Sequence, residues 1–358
     1  MNRYIPNRLN KIEEYRPGVG SYPVRLDANE SPFSPPVGVM GAFAEAVKKI
    51  DYNRYPDPLA KELASAFAKA HGVAPENVVA GNGSDELISV IVNGFLSEGE
   101  RLLVTAPDFS MYEFYGALRG VEILTLPKSE DHGIDFDKML SVVEKSRPSA
   151  LIFSNPCNPT GRAYHRDEIM DFVSRVKTLV IVDEAYAEFC GFDCSVLDRS
   201  VKTDNLIVLR TLSKAYGLAA LRIGFAVANP ALASAIRKVK SPYNVNTLTQ
   251  LFALAALRHK EEYAPLIGAV IREKERLFER LCTLSEVYGF VVYPSDTNFV
   301  LIKCDDDDAN NIYTVLCEEG IKIRCMPPYL RITAGSKEET EKFIKAFEAH
   351  LARKHKNR

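Results

Sequence analysis

A lysine placed just after an apolar strand is the residue of this chain best suited to covalent chemistry. Lys214 follows Asn205-Leu206-Ile207-Val208-Leu209-Arg210, with Arg222 downstream among small residues. A lysine amine whose pKa is lowered by its surroundings can form a Schiff base with an aldehyde. Ser213 and Arg222 add a hydroxyl and a planar fork of donors, both suited to a phosphate. A lone lysine is ordinarily a surface residue, so the reading depends on what else the chain supplies.

Further segments supply it. Gly81-Asn82-Gly83-Ser84-Asp85-Glu86 follows one strand and opens a helix. Glycines there allow a tight turn, and free N–H groups at a helix start bind phosphate. The segment is neither a Walker loop nor a dinucleotide fingerprint, and Asp85 and Glu86 would repel a phosphate unless their side chains turn aside. Asp183 closes the strand 178–182, where a carboxylate can pair with a protonated pyridine nitrogen and keep the ring an electron sink. An aspartate at that junction is equally an ordinary cap. Tyr186, a turn later, could reach a phenolic oxygen on the same ring. Asn158 stands in Ser154-Asn155-Pro156-Cys157-Asn158-Pro159-Thr160-Gly161, a loop stiffened by two Asn-Pro steps, and could offer its amide to that oxygen. Phe109 could stack on a flat ring, although an aromatic at a helix start is as readily core. Together these are the parts of a pyridoxal phosphate site.

The elements that must position them follow from hydrophobic patterning. Short apolar runs at 78–80, 102–104, 150–153, 179–182 and 206–209 alternate with helical stretches. They are apolar throughout, as strands covered on both faces are. That pattern predicts an α/β fold, with a doubly wound and mostly parallel sheet and ligands at the strands' carboxyl ends. After about Val245 two long helical stretches lead to strands near 290–292, 298–302 and 330–333 and a last helix from about Ser336, a smaller α+β unit. The expected division is an N-terminal arm over 1–28, a large domain over 29–245 and a small domain over 246–358.

The 358 residues are 46% hydrophobic and 26% charged with a net charge of −2, which leaves no electrostatic footprint for nucleic acid. No apolar stretch is long enough to span a bilayer and Met1 to Pro6 lack the core of a leader, so the cytoplasm is expected. The seven cysteines lack Cys-x-x-Cys spacing, and the six histidines form no metal motif. No metal is expected. The acidic run Asp305 to Asp308 precedes an apolar-periodic stretch and is read as a helix start.

Taken in order, these segments resemble the fold-type I pyridoxal phosphate-dependent aminotransferases over nearly the whole chain. Leu26-Asp27-Ala28-Asn29-Glu30-Ser31-Pro32, Asn53-Arg54-Tyr55-Pro56-Asp57-Pro58 and Leu330-Arg331-Ile332-Thr333 add to the motifs already quoted. The resemblance implies that Lys214 carries the cofactor, Asp183 holds its ring nitrogen, and Asn158 and Tyr186 hold its phenolic oxygen. It also implies that Gly83, Ser84, Asp85, Thr211, Ser213 and Arg222 cradle the phosphate and that Tyr55 reaches the phosphate of a second subunit, making a homodimer. The stacking ring is often tyrosine in this family; here it is Phe109. Substrate would meet Tyr15, Asn29, Tyr243, Arg324 and Arg331, where two guanidiniums suit a phosphate dianion better than one carboxylate. The expected activity moves an amine between L-glutamate and imidazole-acetol phosphate. The alternatives are an aromatic or broad-specificity aminotransferase and a decarboxylase of phosphothreonine. Replacing Lys214 by Ala should abolish turnover while circular dichroism reports an unchanged fold; full activity in that variant would end the reading.

Overall fold

The computed structural model describes Tyr4, Leu9 and residues 20–356. In chain order the first elements are β1 (Val24–Leu26), α1 (Val37–Val47), α2 (Lys61–His71), β2 (Val78–Gly81), α3 (Ser84–Phe95), β3 (Arg101–Ala106), α4 (Met111–Arg119) and β4 (Glu122–Pro127). There follow α5 (Phe136–Ser146), β5 (Ala150–Ser154), α6 (Arg166–Arg175), β6 (Leu179–Asp183), α7 (Leu197–Ser200), β7 (Leu206–Thr211), β8 (Gly224–Val227), α8 (Pro230–Val239) and α9 (Thr247–Arg258). The chain continues with α10 (Ala264–Tyr288), β9 (Val291–Tyr293), β10 (Phe299–Lys303), α11 (Asp306–Glu318), β11 (Ile321–Met326), β12 (Tyr329–Thr333) and α12 (Lys337–Lys356).

Seven strands form the larger sheet in the order β2-β8-β7-β6-β5-β3-β4. All its pairs are parallel except those made by β8, which runs antiparallel to β2 and β7. Strands β2, β5, β7 and β8 are buried at every position, which is why their sequences read as unbroken apolar runs. Register then decides which loops meet. Ser154 lies opposite Asp183 across β5 and β6. Gly224 lies opposite both Gly81 and Thr211, since β8 sits between β2 and β7. Segments 81–86, 211–213 and 222–224, far apart in sequence, are thereby brought to one edge of the sheet.

Five strands form the second sheet in the order β1-β11-β12-β10-β9. Val24–Leu26, assigned to an arm from sequence, is its outermost strand and runs parallel to Ile321–Ile323. Helix α9, expected with the small unit, packs through Phe252, Ala253 and Leu257 into the core of the larger sheet. Helix α10 serves both units: Val270 faces the larger core, and Leu277, Leu281 and Leu284 the smaller one. A break in hydrophobic texture marks where strands give way to helix, and says nothing of which core a helix joins.

Asp305 occupies the N-cap position of α11, but its side chain makes no capping bond; Asp308 instead pairs with Lys354. Among the described residues no helix is long and apolar enough to cross a membrane, and no cluster of metal-ligating side chains occurs.

Gly224 is where the sheet register leaves no room. A Cβ there would lie 2.2 Å from the Ser84 nitrogen and 2.6 Å from the Gly83 carbonyl carbon, both backbone atoms that cannot step aside. Gly224→Ala should cost about 1–3 kcal/mol in thermal unfolding. Gly41→Ala, where a Cβ meets nothing within 4 Å in the helix α1, should leave the midpoint unchanged or slightly raised.

Candidate active site

The start of α3 is built to hold an anion. Its N-cap is Gly83 at φ 91°, a backbone that L residues avoid, and no side chain caps the free N–H groups that follow. Arg222 lies against it, since a Cβ on Gly83 would come within 2.9 Å of the Arg222 Nη2 atom. Arg222 is itself left-handed at φ 51°. The Thr211 hydroxyl accepts from the Ser213 N–H at 3.1 Å and stands 3.0 Å from the Ser213 Oγ atom. The two nearby carboxylates are otherwise engaged. Tyr115 donates to Asp85 Oδ2 at 3.0 Å, while Glu86 Oε2 accepts from the Asn82 N–H at 2.5 Å and from Asn244 at 2.7 Å. A ring of donors with its acids tied back suits a phosphate.

Asp183 ends the central strand β6 and is only 4% exposed. Its partners are neutral: Tyr112 donates its hydroxyl proton to Oδ2 at 2.9 Å, and the Ala185 N–H donates to Oδ1 at 3.1 Å. Burial raises its pKa from 3.8 to about 7, with the Asp108 and Asp85 charges adding to the rise. A buried carboxylate held by neutral groups calls for a cation. The protonated ring nitrogen of pyridoxal phosphate is such a cation, so the chemistry of this position fits the cofactor.

Lys214 completes the fit. Its Nζ donates to the Ala28 carbonyl at 2.9 Å and lies 5.8 Å from the centre of the Tyr186 ring. Burial, reinforced by the Arg331 charge, lowers its pKa from 10.5 to about 8. The amine is therefore far more often neutral, and nucleophilic, than a surface lysine's. Tyr186 is buried, and burial pushes its phenol up to about 12. Asn29 donates to the Tyr186 oxygen at 2.8 Å, which leaves the phenol proton free to be given elsewhere.

Arg331 closes the other side. One nitrogen donates to Asn158 Oδ1 and another to the Asp27 carbonyl at 2.7 Å, and the guanidinium lies 5.2 Å over the Phe299 ring. Leu301 and Arg324 are its neighbours across the sheet, in β10 and β11. Arg324 is exposed. Tyr55 and Tyr243 stack on each other at the surface, centroids 4.7 Å apart, with Tyr55 83% exposed. Tyr15 lies outside the described residues. Phe109 meets Tyr112 edge-on at 5.6 Å.

Tyr112 went unnamed in the sequence reading although it touches the central carboxylate. The available signal was its spacing three residues after Phe109, which places both aromatics on one face of a helical start. The backbone carbonyls of Asp27 and Ala28 left no signal, because their role lies in where the chain passes and not in a side chain.

Residues 22–347 match the family described as aminotransferase class I and II. The chain is 40% identical over 332 residues to the histidinol-phosphate aminotransferase of Thermoanaerobacter pseudethanolicus, covering 90% of this chain and 92% of that one. Among solved structures it is similar to the histidinol-phosphate aminotransferase of Sinorhizobium meliloti in complex with pyridoxal 5'-phosphate, at 25% identity and a TM-score of 0.88 over 98% of each chain. The L-threonine-O-3-phosphate decarboxylase of Porphyromonas gingivalis is also similar, at 26% identity and a TM-score of 0.79, over 92% of this chain and 99% of that one. The chain belongs to the class I and II aminotransferases, fold-type I enzymes that depend on pyridoxal phosphate. Within that class its full-length likeness is to the histidinol-phosphate aminotransferases.

Two of the shifted groups, Asp183 and Lys214, each add a pH dependence to the stability of the cofactor-free protein. Between about pH 4 and about 7 the unfolded Asp183 has lost a proton that the native one keeps, so stability falls as pH rises. Between about pH 8 and about 10.5 the unfolded Lys214 holds a proton that the native one lacks, so stability rises again. In urea titrations of the cofactor-free protein, Asp183→Asn should lose less stability than the wild type as pH rises from about 4 to about 7. A variant with the wild-type slope there would contradict the assignment.

Proposed function

We propose that this enzyme transfers the amine of L-glutamate to imidazole-acetol phosphate, giving 2-oxoglutarate and L-histidinol phosphate. The observation that carries the reading is the register of β11 on β12, which sets Arg324 directly opposite Arg331. Like charges facing each other across two strands are unfavourable by themselves and favourable around a shared dianion. The identity to histidinol-phosphate aminotransferases supports the same substrate.

Bound pyridoxal phosphate would supply an aldehyde for the amine and an electron-withdrawing ring for charge developing at the substrate's α-carbon. The chain's own residues do the rest. Asp183 would keep a proton on the ring nitrogen. Tyr186 and the Asn158 side chain would hold the phenolic oxygen, and Phe109 would pack against the ring. The N–H groups of Ser84 and Asp85, with Gly83, Thr211, Ser213 and Arg222 around them, would hold the phosphate. Lys214 would take the substrate's α-proton and return it, a task for which an amine with a pKa of about 8 is suited. Arg331 now bonds two neutral oxygens; a carboxylate or phosphate is the stronger acceptor and would take it over in each half-reaction.

We also propose a homodimer acting in the cytoplasm. Val37, Met40, Tyr52, Tyr55 and Leu59 are exposed on one stretch of chain, an apolar surface that a second copy would cover while Tyr55 reached its neighbour's phosphate. All seven cysteines are free, as suits a reducing compartment.

A half-reaction screen tests the substrate. L-histidinol phosphate added to the loaded enzyme without a keto acid should bleach its visible band much faster than histidinol or phenylalanine does. Arg324→Gln should raise KM for L-histidinol phosphate about tenfold or more and leave the rate with phenylalanine unchanged. Preference for phenylalanine or tyrosine would move the enzyme to the aromatic aminotransferases, and release of carbon dioxide from phosphothreonine to the decarboxylases.

A further inference from the structure

Asp108 and Lys128 form an ion pair of 3.1 Å with side chains only 2% and 1% exposed. Burying two charges costs several kcal/mol unless each finds further hydrogen bonds, and here both do. Lys128 Nζ also donates to the Pro107 carbonyl at 2.9 Å and to the Cys157 Sγ at 2.9 Å. Asp108 accepts from Thr105 Oγ1 at 2.7 Å, from the Phe109 N–H at 2.8 Å and from Ser154 Oγ at 2.5 Å. The Ser154 Oγ in turn accepts from the Asn158 N–H at 3.3 Å. Lys128 follows the last residue of β4, Asp108 lies just past the end of β3, and Ser154 ends β5. One buried anchor therefore grips the backbone of Phe109 and the loop that carries Asn158.

The pair also acts at a distance. Burial pulls the Lys128 pKa down, but the Asp108 carboxylate beside it holds the proton in place, so the lysine stays protonated. On the other side the Asp108 charge opposes ionisation of Asp183 and Tyr112, in each case after burial. The titratable groups that feel the pair include Asp183 and Tyr112 through Asp108, and Tyr164 and His132 through Lys128.

We infer that Asp108 and Lys128 are a positioning pair for the cofactor ring, setting Phe109 on its face and Asn158 at its oxygen while balancing the charge behind Asp183. The inference rests on the roles proposed above for those two residues. Neither Asp108 nor Lys128 is a catalytic residue, since both act through the side chains they hold. A plain loop staple would hold the same atoms but would not need opposite charges.

The test uses the full-length holoenzyme and three variants, Asp108→Asn, Lys128→Met and the double. The readouts are the cofactor dissociation constant, the thermal midpoint, and the pH at which the bound cofactor's visible band changes wavelength. Removing Lys128 leaves a bare negative charge that favours the protonated cofactor, so that pH should rise by about half a unit or more. Removing Asp108 leaves a bare positive charge, so it should fall by a similar amount. Each single variant should weaken cofactor binding about tenfold, and the double, neutral again, should recover most of both losses. Ser154→Ala, which cuts the link to Asn158 and keeps both charges, should weaken binding with little change in that pH; it serves also where a charge variant fails to fold. Lower thermal midpoints with unchanged affinity and unchanged pH would overturn the inference and leave a loop staple. Shifts of the same sign in both single variants would overturn it too. A wild-type protein that forms no visible band with pyridoxal phosphate would instead overturn the reading of Lys214 on which the inference stands.

Discussion

A buried carboxylate hydrogen-bonded, among the described residues, to neutral groups is the constraint around which this molecule is arranged. Asp183 sits at the end of the central strand with a phenol and a backbone amide for partners. Nothing in a folded chain keeps such a group for stability, because an apolar residue would be cheaper there. Its position is useful only when a positive ring nitrogen arrives. The remaining features suit such a ring under the proposed roles: a helix start for its phosphate, a lysine with a lowered pKa for its aldehyde, and hydrogen-bonding side chains for its oxygen.

The sheet does the assembling. Parallel strands deliver their carboxyl ends to one edge, and the antiparallel β8 brings Gly224 between Gly81 and Thr211. The second sheet meets this edge through one short stretch of chain. Residues 27–29 offer the Asp27 carbonyl to Arg331, the Ala28 carbonyl to Lys214, and the Asn29 amide to Tyr186. Asn29 is left-handed at φ 55°, and its side chain and backbone also bond Thr333 and Asn298. A residue strained and bonded in this way fixes its neighbours. Arg331 and Lys214 are thus held by consecutive carbonyls, so a shift of the small sheet is felt at both.

Much of this was legible in the sequence, and the physical reason is simple. Strands covered on both faces are apolar throughout, so Asp183 and Ser154 stand out as the polar residues that end them, while Thr211 was indicated only by the family resemblance. Lys214 and Arg222 stood out by type and spacing around glycines and alanines. What stayed hidden has its meaning in a distant partner. Lys128 looks like any lysine after a proline until the fold brings Asp108 and Cys157 to it, and Tyr112 looks like core until Asp183 lies against it. Strand β1 was hidden because three residues carry too little pattern, and the allegiance of α9 because an apolar helix fits either core. The two arginines stood in neighbouring segments of the sequence, and the register of β11 on β12 sets them opposite each other.

The account stands or falls on Asp183 acting through charge on the ring nitrogen. Its most direct measurement is the half-reaction of Asp183→Ala loaded in turn with pyridoxal phosphate and with its N-methylated analogue, whose ring carries a permanent positive charge. The account predicts that the variant is nearly inactive with the ordinary cofactor and recovers by at least about tenfold with the analogue, because the charge no longer depends on a carboxylate. Equal rates with the two cofactors would contradict it, and would leave Asp183 a structural residue at the end of its strand.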